Sequence, residues 1–524
     1  MTPVLGPMDF VTERTELVRR VTGMADALAR SAALSTTLGR ERAILRLIGV
    51  SGLDRDGRPL AAEVVDRYVG GDPTRLALGI GLPFAMALIE YDTTPQQLAL
   101  DVAAGSVDLN LEAELLAEPD RYRDASERLS QLAVSAVARI DDNRVARTEL
   151  LEVLHDGGAP WIGASLQASA LAQGELEAAD LVRGGLDLVR VQVPATRELA
   201  VRLGELGQDT AWRPRAAGDA ETTPSGSQRG LSRLREVLDR AAAERGAYVR
   251  LEIAPTALAG PEAAIVAAFE RADLLDLDPM REMFVTGVDP ARALVDFGFA
   301  ARVARRAGVG VVIDAGPLVV APDLGSGVNA DPATRSGRAL ALQMLVASAA
   351  RAAGIPDEHV IVGALPSWLL GESEAPARAA AEVALRRALY PNHRLAFVEP
   401  PEADESDRWP AIVAAVQPGS RVALVRPRLG RTDQTGGAVT RARLAADVAR
   451  DLEGQLSGPL LEATALEHAQ KALDAALATL DLLDNSGWAA LTGATTTRGG
   501  WGRLGEEAVA ASGDASDPVE RALA

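Results

Sequence analysis

The chain is 524 residues long, 48% apolar and 24% charged, with a formal net charge of −19 and no cysteine. That length can bury at least one large core and suits more than one domain. The acidity argues against nucleic acid and anionic membrane as partners, since both need basic surface, and the lack of cysteine removes disulfides, thiolate metal sites and thiol nucleophiles.

Aromatic residues make up only 3%, so the core rests on Ala, Val and Leu. Met1-Thr2-Pro3-Val4 carries no basic segment leading into an apolar run, so no export signal is expected. No stretch of about 18 uninterrupted apolar residues suggests a membrane span, and the expected location is cytoplasmic. Of the 54 basic residues Lys471 is the single lysine. GC-rich codon usage accounts for such a bias, yet it has a chemical consequence. A lysine Schiff base would need Lys471 or a lysine from another chain.

Residues 1–150 read as a helical region. Leu17 to Ser31 has apolar positions at helical spacing. Ser35-Thr36-Thr37 offers caps for a helix through Arg42 to Ile48, which Gly49-Val50-Ser51-Gly52 ends. Thr93-Thr94-Pro95 reads as an N-cap with proline in the first turn, opening Gln96 to Ala104. Glu112 to Ile140 predicts one or two charged helices.

From about residue 157 short apolar runs alternate with helical stretches. The predicted strands are 161–166, 188–193, 248–254, 273–277, 309–314, 359–364, 394–398 and 421–425. Helical stretches follow near 173–183, 229–245, 261–271, 289–307, 334–353, 375–389, 408–415 and 438–453. Eight strands, each followed by a helix, predict an α/β fold of the (β/α)8 TIM-barrel type over residues 151–432. The runs are continuously apolar, as parallel strands buried on both faces should be. The unit from Gly308 to Gly371 is its clearest part: a strand, a long Gly/Pro/Asp loop, a helix and a second strand. The polar segment Trp212 to Gln228 reads as a mobile loop. Residues 433–524 read as a C-terminal helical extension, with Ala465 to Leu483 helical and Gly493 to Gly505 a lightly ordered arm.

Asp314, Asp323 and Asp331 lie at or beyond the end of the fifth barrel strand, where parallel barrels place chemistry. As carboxylates at a mouth they suit an ammonium or a cation. Alternatively Asp331-Pro332 starts a helix and Asp323 sits in a turn. Arg426, Arg428 and Arg431 follow the eighth strand, where barrels often hold phosphate; they also read as exposed arginines of an Arg-rich chain. Asp357-Glu358-His359 nearly fits the Asp-x-His-x-x-Gly pattern of cobalt-ligating modules, but Gly363 falls one place late and His359 opens its strand at the wrong end. His155, His393 and His468 stand alone, with no metal-ligand spacing, and no Walker or Gly-x-Ser-x-Gly motif occurs. Lys471 reads as a surface residue in mid-helix.

Motifs spread nearly end to end resemble the alpha (large) subunit of lysine 5,6-aminomutase and, more remotely, ornithine 4,5-aminomutase. They include Thr36-Thr37, Glu41-Arg42-Ala43, Arg46-Leu47-Ile48-Gly49-Val50, Thr94-Pro95-Gln96 and Tyr248-Val249-Arg250-Leu251. Pro261-Glu262, Phe269-Glu270-Arg271-Ala272-Asp273, Val295-Asp296 and Ala353-Gly354-Ile355-Pro356-Asp357-Glu358 complete the set.

The resemblance implies a radical 1,2-amino shift on lysine or a related amino acid, with adenosylcobalamin and pyridoxal phosphate received at the barrel mouth. It also implies a smaller beta subunit carrying the cobalamin-binding domain, the cobalt ligand and the Schiff-base lysine. By the same resemblance Thr256 stands for the serine facing the pyridine nitrogen. Asp323, with Asp314 second, stands for the aspartate receiving the substrate amine. Other positions depart. Val193 stands where the family has a phosphate-binding arginine, Glu198 where it has a serine, Arg281 where it has the stacking tyrosine, and Thr286 where it has a second arginine. Each missing charge-assisted bond is worth roughly 1.5–3 kcal/mol, so cofactor binding would be much weaker unless Arg281, Arg190 or the beta subunit compensates. Two other readings stay open: a catalytically degenerate barrel acting as scaffold or regulatory partner, and a barrel enzyme turned to another phosphate-bearing ligand through Arg426, Arg428 and Arg431.

Overall fold

The computed structural model describes residues 11–55, 59–70, 72–156, 161–166, 178–192, 224–255, 258–285, 288–313, 331–363, 375–398, 422–426, 459–498, 509–511 and 517–524. Eight parallel strands close into a barrel in chain order. They are β2 (Trp161–Leu166), β3 (Leu188–Gln192), β4 (Arg250–Ala254), β5 (Leu274–Asp276), β6 (Gly310–Ile313), β7 (Val360–Gly363), β8 (Arg394–Val398) and β9 (Val422–Arg426). Closure comes from β2 pairing with β9, Trp161 opposite Leu424. The predicted (β/α)8 barrel is therefore the fold. Each observed strand lies within one or two residues of its predicted bounds, and the 273–277 run shortens to three residues. The predicted helices at 408–415 and 438–453 fall outside the described residues.

Helices Val11–Ala33, Leu38–Leu47, Leu60–Val69, Gly81–Glu90, Pro95–Ala104, Leu109–Leu115 and Pro119–Leu154 precede the barrel. Thr94 caps its helix as expected, accepting from the Gln97 N–H with Pro95 in the first turn. Of the Ser35–Thr37 triplet only Thr37 caps, accepting from the Arg40 N–H. The triplet also forms a strand, β1, antiparallel to β10 (Val509–Ala511). A last helix, Pro518–Leu523, follows, and Glu520 takes two bonds from Arg302, at 2.8 and 2.9 Å.

The accessory helices are fastened to the barrel by buried charge. Arg42 and Arg46 of helix Leu38–Leu47 reach Glu262 of barrel helix Gly260–Phe269 at 3.2 and 2.8 Å. All three side chains are at most 3% exposed. Thr37 donates to Asp296 of helix Pro290–Ala307, which Arg292 also holds at 2.7 Å. From the long helix Pro119–Leu154, Asn143 donates to the carbonyls of Ala268 and Phe269. Arg147 donates to those of Ala272, Ala307 and Gly308. All but that of Ala272, which lies in the link to β5, are at helix ends, where the helix has no donors left for them.

Three expectations change. Residues 224–228, expected in a polar loop, start helix Pro224–Arg245; Pro224 occupies the first turn, where its missing N–H costs nothing. Gly493 to Arg498 is helical rather than part of an arm. Gly487, at φ 64°, kinks Pro459–Arg498, and Leu491 beyond it is buried in the core. His468 does not stand alone. Its Nε2 lies 2.8 Å from Glu382, which also bonds Ser336 and Arg386. Burial pushes the Glu382 carboxyl up, but Arg386, His468 and Ser336 outweigh it and hold it at about 2. Arg386 and Gln343 in turn bind the Gly363 carbonyl at the end of β7, at 3.1 and 2.8 Å.

Two substitutions test this scaffold. Glu262→Gln leaves two buried guanidiniums without their shared carboxylate, and denaturant unfolding should show a loss of about 3–5 kcal/mol. Gly337 faces helix Pro459–Arg498 so closely that a Cβ there would meet Ala475 Cβ at 2.7 Å and run into the Ala472 carbonyl. Gly337→Val should cost about 3 kcal/mol or more by the same measurement. A wild-type unfolding curve for either variant contradicts the packing described.

Candidate active site at the carboxyl end of the barrel

Successive side chains of a strand point to opposite faces, and one apolar cluster identifies the inward face. Trp161, Leu188, Leu274, Val312, Ile361 and Ala396, from six different strands, pack together apart from the larger core. Beside them at the amino end, the guanidiniums of Arg250 and Arg394 lie 3.5 and 4.9 Å from the Trp161 ring centre. Asp156 bonds Trp161 Nε1 at 3.1 Å and Arg250 Nη2 at 2.8 Å. The interior thus has a closed floor.

Two residues further along β3, β4 and β5, on the same face as Leu188, Arg250 and Leu274, come Arg190, Glu252 and Asp276. Arg190 Nε lies 3.3 Å from Glu252 Oε1, and its Nη2 bonds Asp276 Oδ2. Arg281 Nη1 bonds that same Asp276 oxygen at 2.7 Å. The side chains of Glu252 and Asp276 are 0% exposed, those of Arg190 and Arg281 20% and 22%. Burial opposes the charge on Arg190, but the Asp276 and Glu252 carboxylates prevail and raise its pKa.

Arg281 is aimed by its helix, Pro279–Val285. Asp278 accepts from the backbone N–H groups of Met280 and Arg281, and Met280, Met283 and Phe284 are buried. The next residue, Glu282, lies near the buried charges of Asp296 and Arg292. Burial and the neighbouring Asp296 charge push it up to about 8, against the pull of Arg281 and Arg292. Burial raises Asp296 as well, despite Arg292 and Thr37.

Of the predicted site residues, Arg190 and Arg281 come together on one carboxylate. Asp314, Asp323 and Thr256 lie outside the described residues, as do Val193, Glu198, Thr286, Arg428 and Arg431. Arg426 ends β9, and its side chain is likewise outside them. Asp331 is a helix cap, accepting from the Ala333 and Thr334 N–H groups. Lys471 is exposed and pairs with Glu467 at 2.7 Å. Among the described residues no group of three or more His, Asp or Glu is placed to hold a metal ion, and no helix is long and apolar enough to cross a membrane. Sequence reasoning missed Glu252 and Asp276. The available signal was an acidic residue inside each of two short apolar runs, Leu251-Glu252-Ile253 and Leu274-Leu275-Asp276.

The sequence profile of the TIM-barrel domain of the D-lysine 5,6-aminomutase alpha subunit matches residues 9–407. The lysine 5,6-aminomutase alpha subunit of Acetoanaerobium sticklandii is 27% identical over 328 residues, 63% of this chain and 59% of that one. That of Fusobacterium nucleatum is 27% identical over 366 residues, 70% of this chain and 66% of that one. The chain therefore spans less than two thirds of either relative. Among solved structures, a dihydropteroate synthase from Anaplasma phagocytophilum aligns with 56% of this chain and 100% of its own. The TM-score is only 0.36, at 12% identity.

Glu282 makes stability depend on pH. Its folded pKa of about 8 lies above the ordinary carboxyl value of 4.5. The native state therefore keeps a proton that the unfolded chain releases, and stability falls as pH rises from about 4.5 to 8. Glu282→Gln should remove this carboxyl's share of the slope, up to about 1.4 kcal/mol per pH unit, less the screening at its partly exposed edge. Urea unfolding at pH 5, 6.5 and 8 checks it: the variant should gain on wild type at each step. Parallel profiles would mean that Glu282 ionises freely.

Proposed function

The chain belongs to the family of the D-lysine 5,6-aminomutase alpha-subunit TIM-barrel domain, and on that footing we propose that it is the alpha-subunit-like component of an aminomutase. The reaction is a radical 1,2-amino shift on lysine or a related amino acid, with adenosylcobalamin as radical source and pyridoxal phosphate as amine carrier. The observation that carries this reading is the match over residues 9–407, which takes in the charged layer of Arg190, Glu252 and Asp276 on β3, β4 and β5. Residues 1–150, 151–432 and 433–524 serve as accessory region, barrel and extension. A smaller beta subunit brings the cobalamin-binding domain, the cobalt ligand and the Schiff-base lysine. The single lysine of this chain, Lys471, is paired with Glu467 on an exposed helix face, which supports that division of labour. Asp323, with Asp314 second, receives the substrate ammonium, and Thr256 is the hydroxyl assigned to the cofactor.

Pyridoxal phosphate brings a phosphate dianion, for which charge-assisted donors are the strong anchors. Arg190 and Arg281 are the described candidates. Both are paired to Asp276, and Arg190 also to Glu252. Two guanidiniums against two carboxylates leave no net charge, so these residues do not fit a phosphate anchor as they stand. No step is routed through them. That neutralisation favours a second reading, a barrel that has lost catalysis and acts as scaffold or regulatory partner to such an enzyme.

The readings separate in one experiment. The chain is mixed with pyridoxal phosphate, adenosylcobalamin and a beta subunit carrying Asp-x-His-x-x-Gly and the lysine. Imine absorbance and lysine turnover support the aminomutase. Complex formation with neither signal supports the scaffold. If turnover is seen, Asp323→Asn should lower kcat/KM about 10- to 100-fold, the loss of one charge-assisted bond.

A further inference from the structure

Asp276 holds two arginines on one oxygen. Arg190 reaches it from β3, and Arg281 reaches it from helix Pro279–Val285, at 2.7 Å in the latter case. The carboxylate ends its strand on the inward face, fully buried. Glu252, opposite Arg190 in the strand register, supplies the second negative charge. Without Asp276 the layer would hold two guanidiniums against one carboxylate, the net charge that a phosphate ester needs.

We infer that Asp276 is the specificity-determining residue of this part of the barrel: it neutralises Arg190 and Arg281 and so keeps phosphate-bearing ligands from pairing with them. Asp276 also acts by geometry. Each arginine donates one N–H to the same Asp276 oxygen, so one carboxylate fixes the position of both guanidiniums. The same neutralisation weighs against anchoring pyridoxal phosphate at these arginines, but phosphate binding is measured without turnover or a beta subunit, so its outcome is read separately from that of the aminomutase test.

The test uses the full chain, with inorganic phosphate and, separately, pyridoxal phosphate as probes, titrated by calorimetry at low ionic strength. Wild type should show no saturable phosphate binding in the millimolar range. Asp276→Asn should bind phosphate at least about tenfold more tightly than wild type, the gain expected from freeing charge-assisted donors. Asp276→Glu keeps the charge and should behave as wild type. Adding Arg281→Gln to Asp276→Asn should abolish the gain. Thermal melting by circular dichroism confirms that each variant is folded. Two results would overturn the inference: wild type binding phosphate in a manner lost in Arg281→Gln, or a folded Asp276→Asn with unchanged phosphate affinity. Should Asp276→Asn fail to fold, the wild-type titration alone decides, because saturable binding that depends on Arg281 is incompatible with a neutralised pair.

Discussion

The structure depends on the burial of Glu262 between Arg42 and Arg46. A carboxylate and two guanidiniums, all nearly inaccessible, are stable away from water only while each holds the others. Their geometry fixes helix Leu38–Leu47 against helix Gly260–Phe269. The next barrel helix is fixed in the same way, by Thr37 and Arg292 on Asp296. Arg147 and Asn143 then close the far ends of both helices by taking up their last carbonyls. The accessory helices therefore do more than cover the barrel. They set the two helices that flank β5, the shortest strand of the barrel, whose last residue is Asp276. The motifs on which the family resemblance rested, Glu41-Arg42-Ala43, Pro261-Glu262 and Val295-Asp296, turn out to be the two sides of this joint. That explains why they identify the family more clearly than they identify its chemistry.

Legibility followed the range of the forces involved. Parallel strands buried on both faces must be apolar throughout, so they showed as runs such as Val309 to Ile313. Thr94-Pro95 and Asp331-Pro332 were readable because a cap and its helix are neighbours in sequence. The pairing of Ser35–Thr37 with Val509–Ala511 was not readable. Three-residue strands carry no periodicity, and their partners lie at opposite ends of the chain. His468 looked isolated for a related reason. Its carboxylate, Glu382, is 86 residues away and reaches it only when helices Ala375–Leu389 and Pro459–Arg498 pack together.

At the mouth the sequence yielded the bases and hid the acids. Arg190 and Arg281 stood out because arginine is conspicuous where a phosphate is expected. Asp276 and Glu252 each lay inside a short apolar run, with nothing in the sequence to show which face they take. Register removes the ambiguity. Once Leu188 and Leu274 are known to face inward, Arg190 and Asp276 must do so too, two residues on. A count of arginines therefore misjudges this site, since what a ligand meets is the sum of charges on one face.

The same alternation binds the electrostatics to the fold. β4 carries Arg250 and Glu252 on its inward face, one stacked on Trp161 at the floor and the other beside Arg190 above. A slip of one residue would turn both outward and bring Leu251 and Ile253 in, emptying the floor and leaving Arg190 with one partner fewer. Apolar packing and ion pairing thus demand the same register, so the buried charges cost little specificity and reinforce it. The barrel can keep this ion-paired cluster because the cluster and the apolar layer beneath it are placed by one and the same strand pairing. A change of ligand at this mouth must accordingly come from altering a charge within the layer, as a shift of the strands would dismantle the interior that supports it.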